Sequence, residues 1–234
     1  MIINNIEYPN EIIEAIQNDS LVVFAGAGVS MGSPTDLPNF PDLAKMIAEG
    51  TGKEVDENHC DVFLGDLKAE KIDVNKRAAE ILSDNCEKHN GMHEAIVDLF
   101  KAPEKCRIVT TNYDQMLEQV FEERAVDVSV YNAPALPLGN DFKGIVHVHG
   151  NISDPQYMVV TDGDFGKAYL TEGYAVQFLK KLFQTYTVLF VGYSYNDTII
   201  RYLTRAMVRN TGQSKFVLTD DKEMNWRSYG IVPV

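Results

Sequence analysis

Cysteine is scarce: three residues in 234, at Cys60, Cys86 and Cys106, with no C-x-x-C pair among them. An odd and widely spaced set excludes a disulfide framework and a four-thiolate zinc site, and leaves reduced, partly buried thiols as the expectation. Positive charge is scarce as well: 21 Lys and Arg stand against 34 Asp and Glu, a formal net charge of -13. That balance opposes non-specific nucleic-acid binding, which draws its affinity from Lys and Arg neutralising phosphates. Long apolar runs are missing too. The longest, Tyr186 to Tyr193, is far shorter than the roughly 20 residues that span a bilayer. The opening MIINNIEYPNE is neither basic nor followed by a signal-type apolar region. These absences set the expectation of a cytoplasmic chain that neither enters a membrane nor binds nucleic acid directly. With 45% hydrophobic and 24% charged residues and no repeat or low-complexity tract, the composition is that of a globular protein with one substantial core.

The most informative stretch is Leu21 to Phe40, LVVFAGAGVSMGSPTDLPNF. Leu21 to Phe24 is a continuous apolar run, the pattern of a strand buried on both faces of a parallel sheet. Gly26 and Gly28 allow a tight turn and close approach to a ligand, and Ser30 can cap a helix after the turn. This outlines a phosphate cradle, in which backbone N–H groups hold an anion without a basic surface. The spacing excludes the common G-x-G-x-x-G fingerprint, because Met31 occupies the third glycine position and Gly32 comes one residue late. The alternative reading is an ordinary strand and glycine-rich turn.

Around this stretch the periodicity predicts a short helix over Pro9 to Asn18 and another over Pro41 to Glu49. From Lys53 to Pro103 only helical spacing is present, which reads as a helical insertion. Its His59, His89 and His93 are expected on the surface. Arg107 to Thr111 reads as a second strand, and TTNYDQMLEQVF turns from it into a helix, placing Asn112 and Asp114 beyond the strand's carboxyl end, where open parallel sheets gather ligands. Val126 to Tyr131 alternates and is predicted as a strand. In GIVHVHG, Gly144 to Gly150, alternation puts Ile145, His147 and His149 on one side and Val146 and Val148 on the other, with His149 facing the same crevice. Asp162 to Leu170 and Tyr174 to Phe183 are predicted helices, and Thr187 to Val191 is a buried strand leading into GYSYND. A helix from Thr198 to about Arg209 and a strand over Lys215 to Thr219 complete the reading. Ser30 and Asp197 can also serve as helix N-caps, and Tyr113, Tyr193 and Tyr195 read as packing residues or base-stacking partners. The apolar ending GIVPV leads to the expectation that the natural protein continues beyond Val234.

Four strand ends thus carry small or polar groups: Gly26 to Ser30, Thr110 to Asp114, His149 with Gly150, and Gly192 to Ser194. In this order the motifs resemble the sirtuin superfamily, and more closely the sirtuin-like domains of bacterial anti-phage defence proteins, over about Leu21 to Thr219. The resemblance implies an α/β fold: a Rossmann-like parallel sheet with helices on both faces, an inserted helical subdomain at about 53–103, no zinc ribbon, and a single domain over 1–234. It implies NAD as substrate, with no metal. Gly26, Ala27, Gly28 and Ser30 would lie at the pyrophosphate, Thr111 beside them, and Gly192 and Ser194 by the adenine ribose. Asn112, Asp114 and His149 would be catalytic, the preference for His149 over His147 resting on the family's His-Gly pair. His147 otherwise reads as a hydrogen-bonded core histidine.

Departures from the protein-deacylating branch are clear. Paired C-x-x-C motifs are absent, and its Pro-Asp-Phe-Arg run appears here as Pro38, Asn39, Phe40 and Pro41. The resemblance therefore implies hydrolysis of NAD to nicotinamide and ADP-ribose, or its cyclic form. A deacylase and a non-catalytic NAD-binding assembly module stand as alternatives. Relatives of this kind imply an oligomer, an added C-terminal domain or a partner ATPase or sensor, and activity withheld until infection.

Overall fold

The computed structural model describes residues 2–3, 6–85, 88–194, 213–220 and 225–234. An antiparallel pair, β1 (Ile2–Ile3) and β2 (Ile6–Glu7), precedes α1 (Asn10–Gln17) and β3 (Leu21–Ala25). Then come a 3-10 turn (Ala27–Val29) and four helices: α2 (Phe40–Ala48), α3 (Cys60–Ala69), α4 (Val74–Asp84) and α5 (Gly91–Asp98). Next are β4 (Arg107–Thr110), α6 (Met116–Glu123), β5 (Val130–Asn132) and β6 (Gly144–His147). After α7 (Asp162–Gly166), a π-helical turn (Lys167–Thr171) and α8 (Tyr174–Thr185) stand β7 (Thr187–Val191), β8 (Lys215–Leu218) and β9 (Val232–Pro233).

Seven of these strands form one all-parallel sheet in the order β5-β6-β4-β3-β7-β8-β9. Side-chain alternation divides each central strand between two cores. Val22 and Phe24 of β3, Val146 of β6 and Val188 and Phe190 of β7 pack with Phe178, Leu182 and Phe183 of α8. On the opposite face Leu21, Val23, Ile108, Ile145 and Leu189 pack with Ile12 of α1, Ile96 of α5 and Val120 of α6. This double cover explains the continuous apolar runs of β3 and β7: a strand covered by helices on both faces has no solvent side to carry polar residues.

A third apolar cluster joins α2, α3 and α4 through Leu43, Ile47, Leu64, Leu67, Ala78 and Leu82, and it reaches the sheet through Tyr113, Met158 and Val160. Local chemistry fixes these helices. Asn39 Oδ1 accepts the Asp42 N–H at 2.9 Å to start α2, and Asp73 Oδ1 accepts the Lys76 N–H at 3.1 Å to start α4. At α7, Thr161 and Asp164 cap each other's backbone in a capping box.

One sequence expectation changes. The alternating stretch 126–131 supplies a strand only at Val130–Asn132. The Val126 N–H is taken by Phe121 O at 3.0 Å, ending α6, and Val126 and Val128 pack beneath the sheet as partly buried loop residues. The edge strand β9 has no counterpart in the sequence pattern, because two residues, one a proline, carry no periodicity. The helix expected from Thr198 to about Arg209, together with Asp197, Tyr195 and Cys86, lies outside the described residues. Cys60 and Cys106 are buried free thiols, and burial pushes Cys106 up to about 12.

A tight backbone approach joins the turns after β3 and β7. A Cβ on Gly192 would stand 2.6 Å from Val29 N, and its φ is +74°, a conformation that side chains disfavour. Gly192→Ala is expected to destabilise the chain by about 2 kcal/mol or more, read as a lower denaturant midpoint with an unchanged slope. An unaltered midpoint contradicts this close packing.

Candidate active site

The chain leaves β3 toward β4 on one side and leaves β7 toward β8 on the other, so the strand order reverses between β3 and β7. Open α/β sheets place ligands beyond the carboxyl ends at such a reversal. A cleft of about 470 Å³, counting its open mouth, lies there, lined by Ala27, Ser30, Thr111, Asn112 and Asp114 and walled by Phe40 and Leu82 of the helical cluster. Its size falls within the usual range of small-molecule sites.

The glycine-rich turn serves the protein's own backbone. The Gly26 N–H donates to Val191 O and the Gly28 N–H to Gly192 O, both at 2.9 Å. A Cβ on Gly26 would lie 2.7 Å from the Tyr193 ring, and one on Gly28 2.9 Å from Gly192 Cα. The close approach expected toward a ligand is here an approach to the neighbouring turn. Tyr193 is buried core, its hydroxyl donating to Ala25 O at 3.1 Å, and it pairs with Thr111 Oγ1 at 2.8 Å. Tyr113 is likewise core, its hydroxyl on Val159 O. Ser194 is exposed.

Ser30 is no helix N-cap; its hydroxyl is the hub of a buried network. It donates to Asp114 Oδ2 at 2.9 Å and accepts from Asn112 Nδ2 at 3.2 Å. The third partner is His93 Nε2 at 3.1 Å. The Asn90 N–H donates to His93 Nδ1, so in the neutral ring Nε2 carries the hydrogen and donates to Ser30. Burial, with His89 adding to it, pushes His93 down to about 4 and keeps it neutral. Asp114 also accepts the Met116 N–H on Oδ1, and burial raises its pKa. The second Asn112 amide hydrogen goes to Gly26 O at 3.2 Å. Because that carbonyl only accepts, the orientation of the amide is fixed, and Asn112 Oδ1 is left without a hydrogen bond among the described residues. This half-buried side chain presents an acceptor at the cleft.

His147 and His149 part ways. β6 ends at His147 and the chain turns there, so His149 leaves the strand's alternation. His147 is fully buried, with Nδ1 3.1 Å from Asn112 O and Nε2 2.6 Å from Glu118 Oε1. Burial alone would lower its pKa, but Glu118, the Asn112 carbonyl and Asp114 outweigh it and raise it. His149 sits on the other side, among Phe165 and Tyr169 of the α8-side core, with Nε2 2.8 Å from Tyr169 Oη. The exposure expected for His149 is corrected: it is completely buried and absent from the cleft lining, its Nδ1 has no partner among the described residues, and burial pushes it down to about 3. Its backbone still adjoins the site, since Val159 accepts from Tyr113 and donates to His149 O.

His89 and His93, expected on the surface, are also buried; only His59 is exposed. His93 does carry a signal, Asn90-x-x-His93, polar residues at capping-box spacing at the start of α5. Glu118 lies in the first turn of α6, whose Met116 N–H is held by Asp114 just before the helix. Tyr169 carried no comparable signal. No group of three or more His, Cys, Asp or Glu among the described residues is placed to hold a metal ion, and no described helix is long and apolar enough to cross a membrane.

Residues 107–234 match the family model described as a SIR2-like domain. The chain is 29% identical over 229 residues to the uncharacterized protein y4cA of Sinorhizobium fredii, covering 86% of this chain and 18% of that protein. It is 30% identical over 190 residues to the NAD(+) hydrolase ThsA of Enterococcus faecium, covering 79% and 39%. Against the defense-associated sirtuin 2 of Bacillus subtilis it is 25% identical over 247 residues, covering 93% and 22%. The chain therefore spans between 18% and 39% of the length of these relatives.

The depressed histidines set the acid stability of the site. For His93 and His149 the unfolded chain binds the proton more readily, so their contribution is intact above about 6.5 and falls as pH drops toward 4 and 3. Each is expected to lower stability by about 2 kcal/mol at pH 5, partly offset by Asp114, whose raised pKa works in the opposite direction. His147, raised, gives its contribution in full below about 6.5 and loses it only as pH rises through its folded value. The urea midpoint should fall between pH 7 and pH 5, less steeply in His93→Gln; a midpoint that rises or stays level contradicts the neutral, buried state of these rings.

Proposed function

The chain belongs to the SIR2-like domain family, and on that premise we propose that it is an NAD+ glycohydrolase, cleaving NAD+ to nicotinamide and ADP-ribose, or its cyclic form, as the NAD-depleting effector of an anti-phage defence system. The observation that carries this reading is the Asn112 carboxamide, locked through both amide hydrogens onto Gly26 and Ser30 and offering Oδ1 to the cleft. The names of the Enterococcus and Bacillus relatives support the substrate and the defence role.

Breaking the nicotinamide–ribose bond builds oxocarbenium character at the anomeric carbon, so the reaction gains from an oriented ribose and an acceptor for a hydroxyl or water proton. Asn112 Oδ1 is suited to hold that hydroxyl or water, and the Asp114 carboxylate lies behind the Asn112 amide, two hydrogen bonds away through Ser30. Ala27, Ser30 and Thr111 line the pyrophosphate side, with Gly26 and Gly28 in the same turn; Gly192 and Ser194 flank the adenine ribose. His149 is the base, and Asn112 with Asp114 completes the catalytic set. In the sealed state its burial leaves it neutral but weakly basic. Displacement of Tyr169 by a ribose, opening the ring to the cleft and its water, would remove the burial that depresses its pKa and make it effective near neutrality. The domain spans 1–234, with its helical insertion at about 53–103, and belongs to a longer, oligomeric cytoplasmic assembly with a further domain or partner sensor.

Incubating the full-length protein with NAD+ and measuring nicotinamide tests the proposal. Release is expected, reduced about 10²-fold or more in Asn112→Ala and His149→Ala with folding intact. Turnover retained in both variants removes this assignment of roles.

A further inference from the structure

Glu118 and His147 form a buried pair that the proposed catalytic set leaves unused. They come from α6 and β6, are 7% and 0% exposed, and lie 2.6 Å apart. Such a pair is weak evidence for stability, since removing two charged groups from water costs about as much as their attraction returns. Here the balance is poorer still, because Glu118 Oε2 has no hydrogen-bond partner among the described residues. What the pair does have is geometry. Glu118 holds Nε2 of the ring, and the ring's other nitrogen reaches the main-chain carbonyl of Asn112 at 3.1 Å. A carbonyl oxygen only accepts, so Nδ1 carries a hydrogen whether the pair is ionic or has passed its proton to Glu118. On its other side the Asn112 N–H donates to Thr110 Oγ1 at 3.0 Å. The backbone of residue 112 is thus clamped at both its N–H and its C=O, and its side chain swings from a fixed base to reach Gly26 O and Ser30 Oγ.

We infer that His147, held by Glu118, is a positioning residue that fixes the Asn112 backbone and so aims the Asn112 carboxamide into the cleft. The inference deepens the proposed function and rests on it for its effect on turnover, though its effect on geometry does not.

Two substitutions separate the two ring nitrogens. In His147→Asn the side-chain amide places an N–H where Nδ1–H stood and gives up Glu118; in His147→Gln the longer amide reaches Glu118 and leaves the Asn112 carbonyl without its donor. With the full-length protein and saturating NAD+, His147→Gln is expected to lower kcat about 10²-fold with KM within about threefold, and His147→Asn to keep kcat within about threefold. In the ¹⁵N-labelled protein the Asn112 carboxamide resonances are expected to shift in His147→Gln and to hold in His147→Asn. Equal kcat in the two variants, or unshifted resonances in His147→Gln, overturns the inference. If the unsubstituted protein releases no nicotinamide, the NAD+ hydrolase reading fails and the resonances alone decide this one: a shift in Gln without one in Asn upholds it, and the same response in both overturns it. Should His147→Gln not fold, Glu118→Met keeps the side-chain volume and frees the ring. A shifted carboxamide and a roughly tenfold lower kcat are then expected, and unsubstituted behaviour in that variant overturns the inference.

Discussion

The parallel pairing of β3 with strands on both its sides is the constraint on which the rest depends. Leu21 to Ala25 registers with Thr187 to Val191 along its whole length, and Val23 to Ala25 with Ile108 to Thr110. Those registers bring the ends of three strands, far apart in the chain, to one edge of the sheet. Strands buried on both faces cannot slip by one residue without driving every side chain into the wrong core. The turns at their carboxyl ends are therefore placed as firmly as the strands, and Gly192 meets Gly26 and Gly28 at a distance no side chain permits.

On that scaffold the polar groups form closed hydrogen-bond sets. The Ser30 hydroxyl has two donors and one acceptor, which uses its full capacity and ties segments 63, 82 and 84 residues away in sequence into one unit. A satisfied buried network is rigid and specific; a half-satisfied one is costly. The unsatisfied atoms are accordingly informative. Asn112 Oδ1 lies at the cleft, whereas His149 Nδ1 and Glu118 Oε2 lie in the interior. His149 is neutral because it is dry, and it is dry because Phe165 and Tyr169 cover it. The arrangement keeps the proposed base out of reach of solvent beside a cleft that is otherwise open.

Much of this was legible in the sequence. The apolar runs of β3 and β7 gave strands within a residue of their bounds, and the positions of Asn112 and Asp114 after a strand pointed to the crevice they line. The parting of His147 and His149 was not legible, because alternation holds only while the chain stays extended, and a turn at residue 148 ends it. Nor were the roles of Gly26 and Gly28, since the same residues permit approach to a ligand or to a neighbouring backbone. The burial of His89 is not legible because its partner Glu123 lies far off in sequence, and for His93 the spacing from Asn90 points to a helix start but not to Ser30, 63 residues away. Tyr169, on a π-helical turn, sits in a stretch whose spacing is simply helical.

The central claim is that Asn112 and His149 act on one ribose. A crystal structure of the full-length Asn112→Ala protein holding uncleaved NAD+ tests it most directly. The account requires the nicotinamide ribose between position 112 and His149, an imidazole nitrogen within hydrogen-bond distance of a ribose hydroxyl, and Tyr169 moved from its present contact. A dinucleotide bound elsewhere, or one in the cleft with His149 still bonded to Tyr169, contradicts it.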